Sequence, residues 1–542
     1  MGGALAPLRR AGARARAGSG EEPRPWAIIT RITNFERAFS YDRADGIDAR
    51  HLAGAARSAR PLRGHHRRRR PTRRAQDLRA LPAQRGHSDS RRGREVTADV
   101  ALPPLAIEKL PSGLTLLALQ KRGLPLFHAR LSVPAGACED PRGKAGLAQF
   151  TVDLLRRGTR RRPAQDVDDL IESMGAQLSA DVSMEEAALA LTVPSDLAQR
   201  ALDALLEVAL EPAFDEHEVS SARRRTVAAL QSDLDEPSTV ASRAMVTLGY
   251  GLAHPYAHPA QGWRRDVETF RPEDARGFHA TRYQQSGGLF AVVGQEDPQQ
   301  LLAVLREKLA QWHASWPGPA QRQPLQFSAL PPGEGLRAVV VHKPDATQAQ
   351  VRIVAPGLPR TTPRYAEAVV ANTALGGGFT SLLVDAIRVD RGLSYSVSTR
   401  LHMNRRAGLS VFSSFTKNET LRQLIDVALE KMAVHAASGP SEDALDKARR
   451  YLAGLFPLGL ESHEALAEQV ADAILDGIGL DHLAKYRSRV LAVTLDQARS
   501  IAADLSPSRP GAQLIVVGEA DMARRGLDGL CPVEVRQLEE FA

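Results

Sequence analysis

Cysteine is nearly absent: Cys138 and Cys531 are the only two in 542 residues. A disulfide framework is thereby excluded, and with no Cys-x-x-Cys pair so is a cysteine-built structural zinc site. No uninterrupted run of about 18 apolar residues occurs, which argues against a membrane span. No Gly-x-Ser-x-Gly elbow is present, and neither cysteine sits in a nucleophile signature. A glycine run, Gly376–Gly378, is followed by Phe379-Thr380 rather than Lys-Ser/Thr, so it reads as a tight entry into a helix and not as a phosphate loop.

Charge is unevenly spread. Residues 1–100 hold 23 Arg, no Lys and 10 acidic residues, whereas 101–542 hold 48 basic and 53 acidic ones. The net +8 therefore belongs to the leader, and the body is mildly acidic. Residues 1–98 are rich in Arg, Ala, Gly and Pro and show no sustained period. Such a stretch buries too little apolar surface to offset its ordering entropy and reads as disordered. Met1–Arg24 lacks the apolar core of a secretory signal. An Arg-rich, acid-poor presequence and a phosphate-binding arm are alternative readings. The favoured one is an unstructured extension upstream of the native start, with no nucleic acid bound through the folded body.

From about Pro104 the pattern becomes that of a folded body. Leu105–Lys109 and Leu114–Gln120 flank Pro111-Ser112-Gly113, a hairpin signal. His128–Val133 reads as a strand ending in Pro134-Ala135-Gly136, and Val351–Ala355, after the strand Ala338–His342, ends similarly in Pro356-Gly357. Each is followed at a distance by a buried apolar strand, Phe290–Gly294 and Leu514–Gly518. The spacing is 158 positions from Gly136 to Gly294 and 161 from Gly357 to Gly518. A tandem duplication follows, with lobes over 99–315 and 336–542 and a proline-rich linker over 316–335. Ala164–Met174, Leu197–Leu210 and Glu218–Leu234 carry helical periodicity. The predicted class is α+β, each lobe a mostly antiparallel sheet with helices packed on one face.

Gly136–Thr159 contains Pro141, Gly143, Gly146, Leu147, Ala148, Phe150, Gly158 and Thr159 in a fixed frame. That frame resembles the segment of the pitrilysin/insulinase metallopeptidase family that bears the inverted zinc motif H-x-x-E-H. The resemblance covers about residues 104–542 and implies two lobes that close around a zinc site. The positions matching the two zinc histidines are Gln149 and Asp153, and the position of the water-activating glutamate is Val152. The third ligand's position, counted without gaps from Asp153, falls on Ala229, with Phe214-Asp215-Glu216 in register upstream. Three protein ligands and an open water position are needed for zinc hydrolysis, so no metal and no catalytic residue is expected in this chain. His254 and His258 are four apart, but Pro255 and Pro259 disfavour the helix that would pair them.

In the second lobe, Leu375–Ser381 followed by Arg391–Ser398 resembles the family's C-terminal substrate-binding segment, whose Arg and Tyr stand seven positions apart. The matching residues are Arg388 at a helix end and Tyr395 opening a strand. Leu382 departs from relatives that carry arginine there. Some bacterial and mitochondrial members divide zinc and Arg/Tyr between two chains. The resemblance thus implies a heterodimer with a zinc-bearing homologous subunit, zinc in that partner, and peptide substrates. The alternative is a structural or peptide-binding subunit without hydrolysis, like the core proteins of the respiratory bc-type complex. Compartment stays open between bacterial periplasm and cytoplasm.

Overall fold

The computed structural model describes residues 99–317, 325–327 and 335–542. The disordered-leader reading of residues 1–98 and the linker prolines Pro319, Pro324, Pro331 and Pro332 lie outside the described residues.

Helices of eight residues or more are numbered here with the strands. The first lobe runs β1 (Leu105–Lys109), β2 (Thr115–Gln120), β3 (Leu126–Val133), α1 (Leu147–Leu155), α2 (Ala164–Glu172), β4 (Ser179–Val182) and β5 (Ala187–Pro194). It continues with α3 (Ala198–Leu210), α4 (Glu216–Asp233), α5 (Pro237–Tyr250), α6 (Pro272–Arg282), β6 (Leu289–Gly294) and α7 (Pro298–Trp312). The second lobe runs β7 (Arg337–His342), β8 (Gln348–Gly357), α8 (Tyr365–Asn372), β9 (Val397–Met403), β10 (Gly408–Lys417), α9 (Leu421–Ser438) and α10 (Glu442–Leu455). It closes with α11 (His463–Leu475), α12 (Leu495–Leu505), β11 (Gln513–Gly518), α13 (Ala520–Leu527) and β12 (Val533–Gln537).

The two sheets have orders β1-β2-β6-β3-β5-β4 and β12-β7-β11-β8-β10-β9. From β2 and β7 onward they correspond strand for strand. Both are mostly antiparallel, and each has its late apolar strand at the centre, parallel to the strand on one side. Central strands are covered on both faces, which is why β6 and β11 are apolar without alternation. The repeated glycines have a shared cause. A Cβ on Gly136 would stand 2.4 Å from the backbone at Glu185–Glu186, and one on Gly357 would stand 2.7 Å from the Leu409 carbonyl carbon. Both lie where the chain at the end of a strand presses on a neighbouring backbone, the turn between β4 and β5 in the first lobe and β10 in the second. The edge strands differ: β1 folds back antiparallel on β2, whereas β12 arrives parallel to β7.

Within each lobe its own helices cover one sheet face. In the first, Leu116, Ala118, Phe127, Ala129, Leu131, Phe290 and Val292 point into a core closed by α1, α3, α6 and α7. The opposite face is not open, as a one-sided packing would leave it. It receives a helix from the other lobe. Val240, Ala241, Ala244 and Met245 of α5 lie on Val339, Val341, Val354, Leu409, Ile515 and Val517 of the second sheet. In return Leu466, Ala467, Val470 and Ala471 of α11 lie on Leu117, Leu119, Leu289, Ala291 and Val293 of the first. Each fully buried aliphatic side chain contributes about 1.5–3 kcal/mol, so this exchange joins the lobes through core-like surface. One helical run, Tyr365–Val389, is long and apolar enough by composition to cross a membrane. It is two-thirds buried, and Ala368, Val370, Ala371, Leu383 and Ile387 pack inside the second lobe.

Polar groups share the same seam. Arg130 of β3 donates to Glu186 at 2.9 Å with its side chain only 3% exposed. Glu468 and Asp472 of α11 are close enough to hold the Arg130 proton against the cost of burial. Burial raises Glu186 despite Arg130, while Arg130 remains a cation because three carboxylates surround it. Asp476 accepts from Arg405 at 3.1 Å, and the Arg405 backbone N–H donates to Glu185 of the first lobe at 2.9 Å.

Candidate active-site cleft

α1 begins where Asp140 makes it begin. The Asp140 carboxylate accepts from the N–H groups of Gly146 and Ala148, both at 2.7 Å, satisfying two donors that a helix start leaves unpaired. Gly146 takes φ +96° as N-cap, and Gly262 lies so close that a Cβ would meet the Ala145 carbonyl oxygen. The retained Pro, Gly and acidic frame is therefore a device for seating this helix.

Burial on α1 follows a simple division. Leu147, Ala148, Phe150, Thr151, Val152, Leu154 and Leu155 face the core, leaving Gln149 half-buried and Asp153 exposed on the open side. Gln149 Nε2 donates to Asp153 Oδ1 at 2.9 Å, so the amide's donor end is turned toward the acid. Val152 is fully buried within the core of the first lobe. Asp153 is accessible as a residue, yet the protein packed around it pushes its carboxyl up to about 6; Gln149, Arg157 and Arg225 pull the other way.

α4 lies beside α1 and presents Ala228 and Ala229 to solvent. A groove of about 440 Å³ beside Ala228 is lined by Arg223, Arg224, Arg264 and Glu268. Its field repels a dication. Among the described residues no group of three or more His, Cys, Asp or Glu is placed to hold a metal ion. The donor set does not fit zinc: one neutral amide bonded to one carboxylate, a buried valine and an alanine cannot supply three ligands. His254 and His258 do not rebuild it. His254 stacks on Tyr250 and accepts from the Tyr256 N–H, whereas His258 lies toward Asp140.

The second-lobe segment has a different character. After α8 the chain makes π-helical turns at Thr373–Gly377 and Asp385–Val389. Gly376 sits where a Cβ would come within 2.9 Å of the Thr399 nitrogen of β9, so the glycine run is a close approach at a helix end rather than a helix entry. Arg388 stands in the second π turn. Gly392, at φ +60°, then reverses the chain and Tyr395 follows two residues before β9 starts. Tyr395 does not open the strand, because Ser394 Oγ bonds the backbone of Ser396 and ties that stretch into a local turn.

This turn brings Arg388 and Tyr395 together. The guanidinium carbon lies 4.6 Å from the Tyr395 ring centroid and 5.4 Å from that of Phe379. Both rings are largely exposed, at 77% and 82%. The Arg388 guanidinium has no hydrogen-bond or ion-pair partner among the described residues, so its donors stay free beside the rings. Sequence reading missed Phe379 as a member of this cluster; its lone aromatic ring directly after three glycines was the available signal.

Comparison with known proteins agrees with this architecture. Residues 120–255 match the family described as Insulinase (Peptidase family M16), and residues 269–452 match the one described as Peptidase M16 inactive domain. A protein from Mycobacterium leprae described as an uncharacterized zinc protease is 26% identical over 415 residues, covering 75% of this chain and 90% of that protein. A Helicobacter pylori protein described as the non-peptidase homolog YmxG is 26% identical over 344 residues, covering 62% of this chain and 77% of its own. In fold, the crystal structure of a peptidase M16 inactive domain from Pseudomonas fluorescens superposes with a TM-score of 0.70 at 23% identity, covering 77% of this chain and 98% of that one.

Proposed function

This chain belongs to peptidase family M16, the insulinase family, and from that premise we propose that it is a non-catalytic subunit whose Arg388 and Tyr395 grip peptide in an active site completed by a zinc-bearing homologue. One contrast carries the reading: among the described residues the first-lobe positions bring no three metal donors together, while the second-lobe segment holds a half-buried arginine, its guanidinium unpaired, beside an exposed phenol. Such donors suit a peptide carbonyl and the negative charge that develops on it during attack by water. Zinc in this reading belongs to the partner, where it would activate water. This chain's share is to hold and orient the substrate backbone.

Affinity capture of the tagged chain, followed by metal analysis, tests the assignment. The expected result is a stoichiometric complex with an H-x-x-E-H homologue that contains one zinc per pair and cleaves peptides. A complex that forms but leaves hydrolysis by the zinc subunit unchanged would instead support a structural or peptide-holding role.

A further inference from the structure

Away from the cleft, the second lobe encloses a small cavity between α8, α10, α11 and the short helix Tyr486–Leu491. Its volume is about 50 Å³, and its wall includes Arg360, Tyr365, Leu452, Phe456, His482 and Tyr486. The aromatic side chains form a box. Tyr365 packs edge-on against His482 at 5.1 Å, and Phe456 stacks on Tyr486 at 4.3 Å. Arg360 lies over the Tyr365 ring at 4.2 Å.

Two polar atoms in this box are buried with no hydrogen-bond partner: Arg360 Nη1 and His482 Nε2. Both are donors. Arg489 Nη1 approaches His482 Nδ1 at 3.4 Å, which makes Nδ1 the acceptor and leaves the proton on Nε2. Burial, with Arg360 and Arg489 nearby, lowers His482 to about 4, so the ring is neutral at physiological pH. Arg360 meets Asp476 through Nε at 3.8 Å, on a different nitrogen from the one left unpaired. A buried donor without an acceptor costs about 1–3 kcal/mol, and two such donors belong to side chains that line this one cavity.

We propose that this box is a binding site for a small monocarboxylate, its oxygens accepting from Arg360 Nη1 and His482 Nε2 and its short apolar end lying against Leu452 and Phe456. Charge and shape select this class. A guanidinium N–H and a neutral imidazole N–H suit the two oxygens of one carboxylate. A doubly charged phosphate would give up far more hydration than two donors and four rings return. The volume admits a few waters' worth of ligand, which acetate fills and a long acid does not.

The test is a titration of the full chain with acetate at constant ionic strength, followed through the methyl resonances of Leu452 and Leu455. Saturable shifts confined to this box are expected, with binding weakened about tenfold or more in His482→Phe, which keeps the ring and removes the donor. Arg360→Leu should abolish binding. If that variant unfolds, His482→Phe decides alone. Absence of saturation, phosphate binding more tightly than acetate, or unchanged affinity in His482→Phe would each overturn the assignment.

Discussion

Changing Arg388 to alanine together with Tyr395 to phenylalanine is expected to lower the turnover of the assembled peptidase by about a hundred- to a thousandfold, the size of losing a preorganised donor to a developing oxyanion. Stability should barely move. The Arg388 guanidinium lies against the exposed rings of Phe379 and Tyr395 and holds no ion pair among the described residues, and exposed cation–π contacts of that kind contribute about 0.5–1 kcal/mol. Phe379→Ala alone should act more mildly, because it removes one side of the guanidinium's support and no donor. Steady-state kinetics of the complex, with an unchanged melting temperature as control, measures both effects. Unaltered turnover would remove Arg388 and Tyr395 from the reaction and leave the chain a scaffold.

The second large effect is on stability. Arg130→Met deletes a guanidinium that faces Glu186, Glu468 and Asp472 at the seam between lobes. Breaking one side of a buried pair costs about 3–5 kcal/mol, a large part of a typical folding free energy. Burial already raises Glu186 and Asp472 above their ordinary carboxylate range. Groups with raised folded pKa values bind protons more readily in the native state than in the unfolded one. Their contribution to stability therefore grows as pH falls from the folded value toward 4.5 for Glu186 and 3.8 for Asp472, and is lost as pH rises. Without Arg130 those pKa values climb further, so the variant should recover part of its deficit in mild acid. His128 works in the opposite sense. Burial first, with Arg130 and His463 adding to it, depresses it to about 3, so acid below 6.5 destabilises the parent through this ring. Removing Arg130 relaxes that depression too. Urea unfolding of parent and variant across pH, with Arg130→Met/Glu186→Gln as the compensating double variant, measures the pair. A deficit independent of pH, or no recovery in the double variant, would contradict this account of the seam.

How much of this was readable in the chain depended on the distance between interacting parts. Phe290–Gly294 and Leu514–Gly518 were legible as central strands because two-sided burial writes itself as an unbroken apolar run. The recurrence of Pro134-Ala135-Gly136 in Pro356-Gly357 gave the duplication, since the same close approach demands glycine in both lobes. Positions 149, 152, 153 and 229 could be singled out only through the resemblance of the Gly136–Thr159 frame to the family's zinc segment; helix spacing by itself says only that 149 and 153 share a face. What stayed hidden was pairing across long separations. The apolar stripe of Pro237–Tyr250 looks like any core helix, and nothing local says that it covers a sheet more than 80 residues further on. Val533–Gln537 is half-exposed and polar at alternate positions, too weak a signal for an edge strand. Asp140 was overlooked although an acidic residue just ahead of the frame's Pro141 was a fair hint of a helix-seating carboxylate.

The measurement that bears most directly on the proposed division of labour is metal content and peptide hydrolysis of the purified chain alone, after incubation with zinc and removal of excess. Gln149, Val152, Asp153 and Ala229 predict zinc well below one equivalent and no cleavage, with activity restored only on adding the H-x-x-E-H homologue. One tightly held zinc per chain, accompanied by turnover that a chelator abolishes, would contradict it.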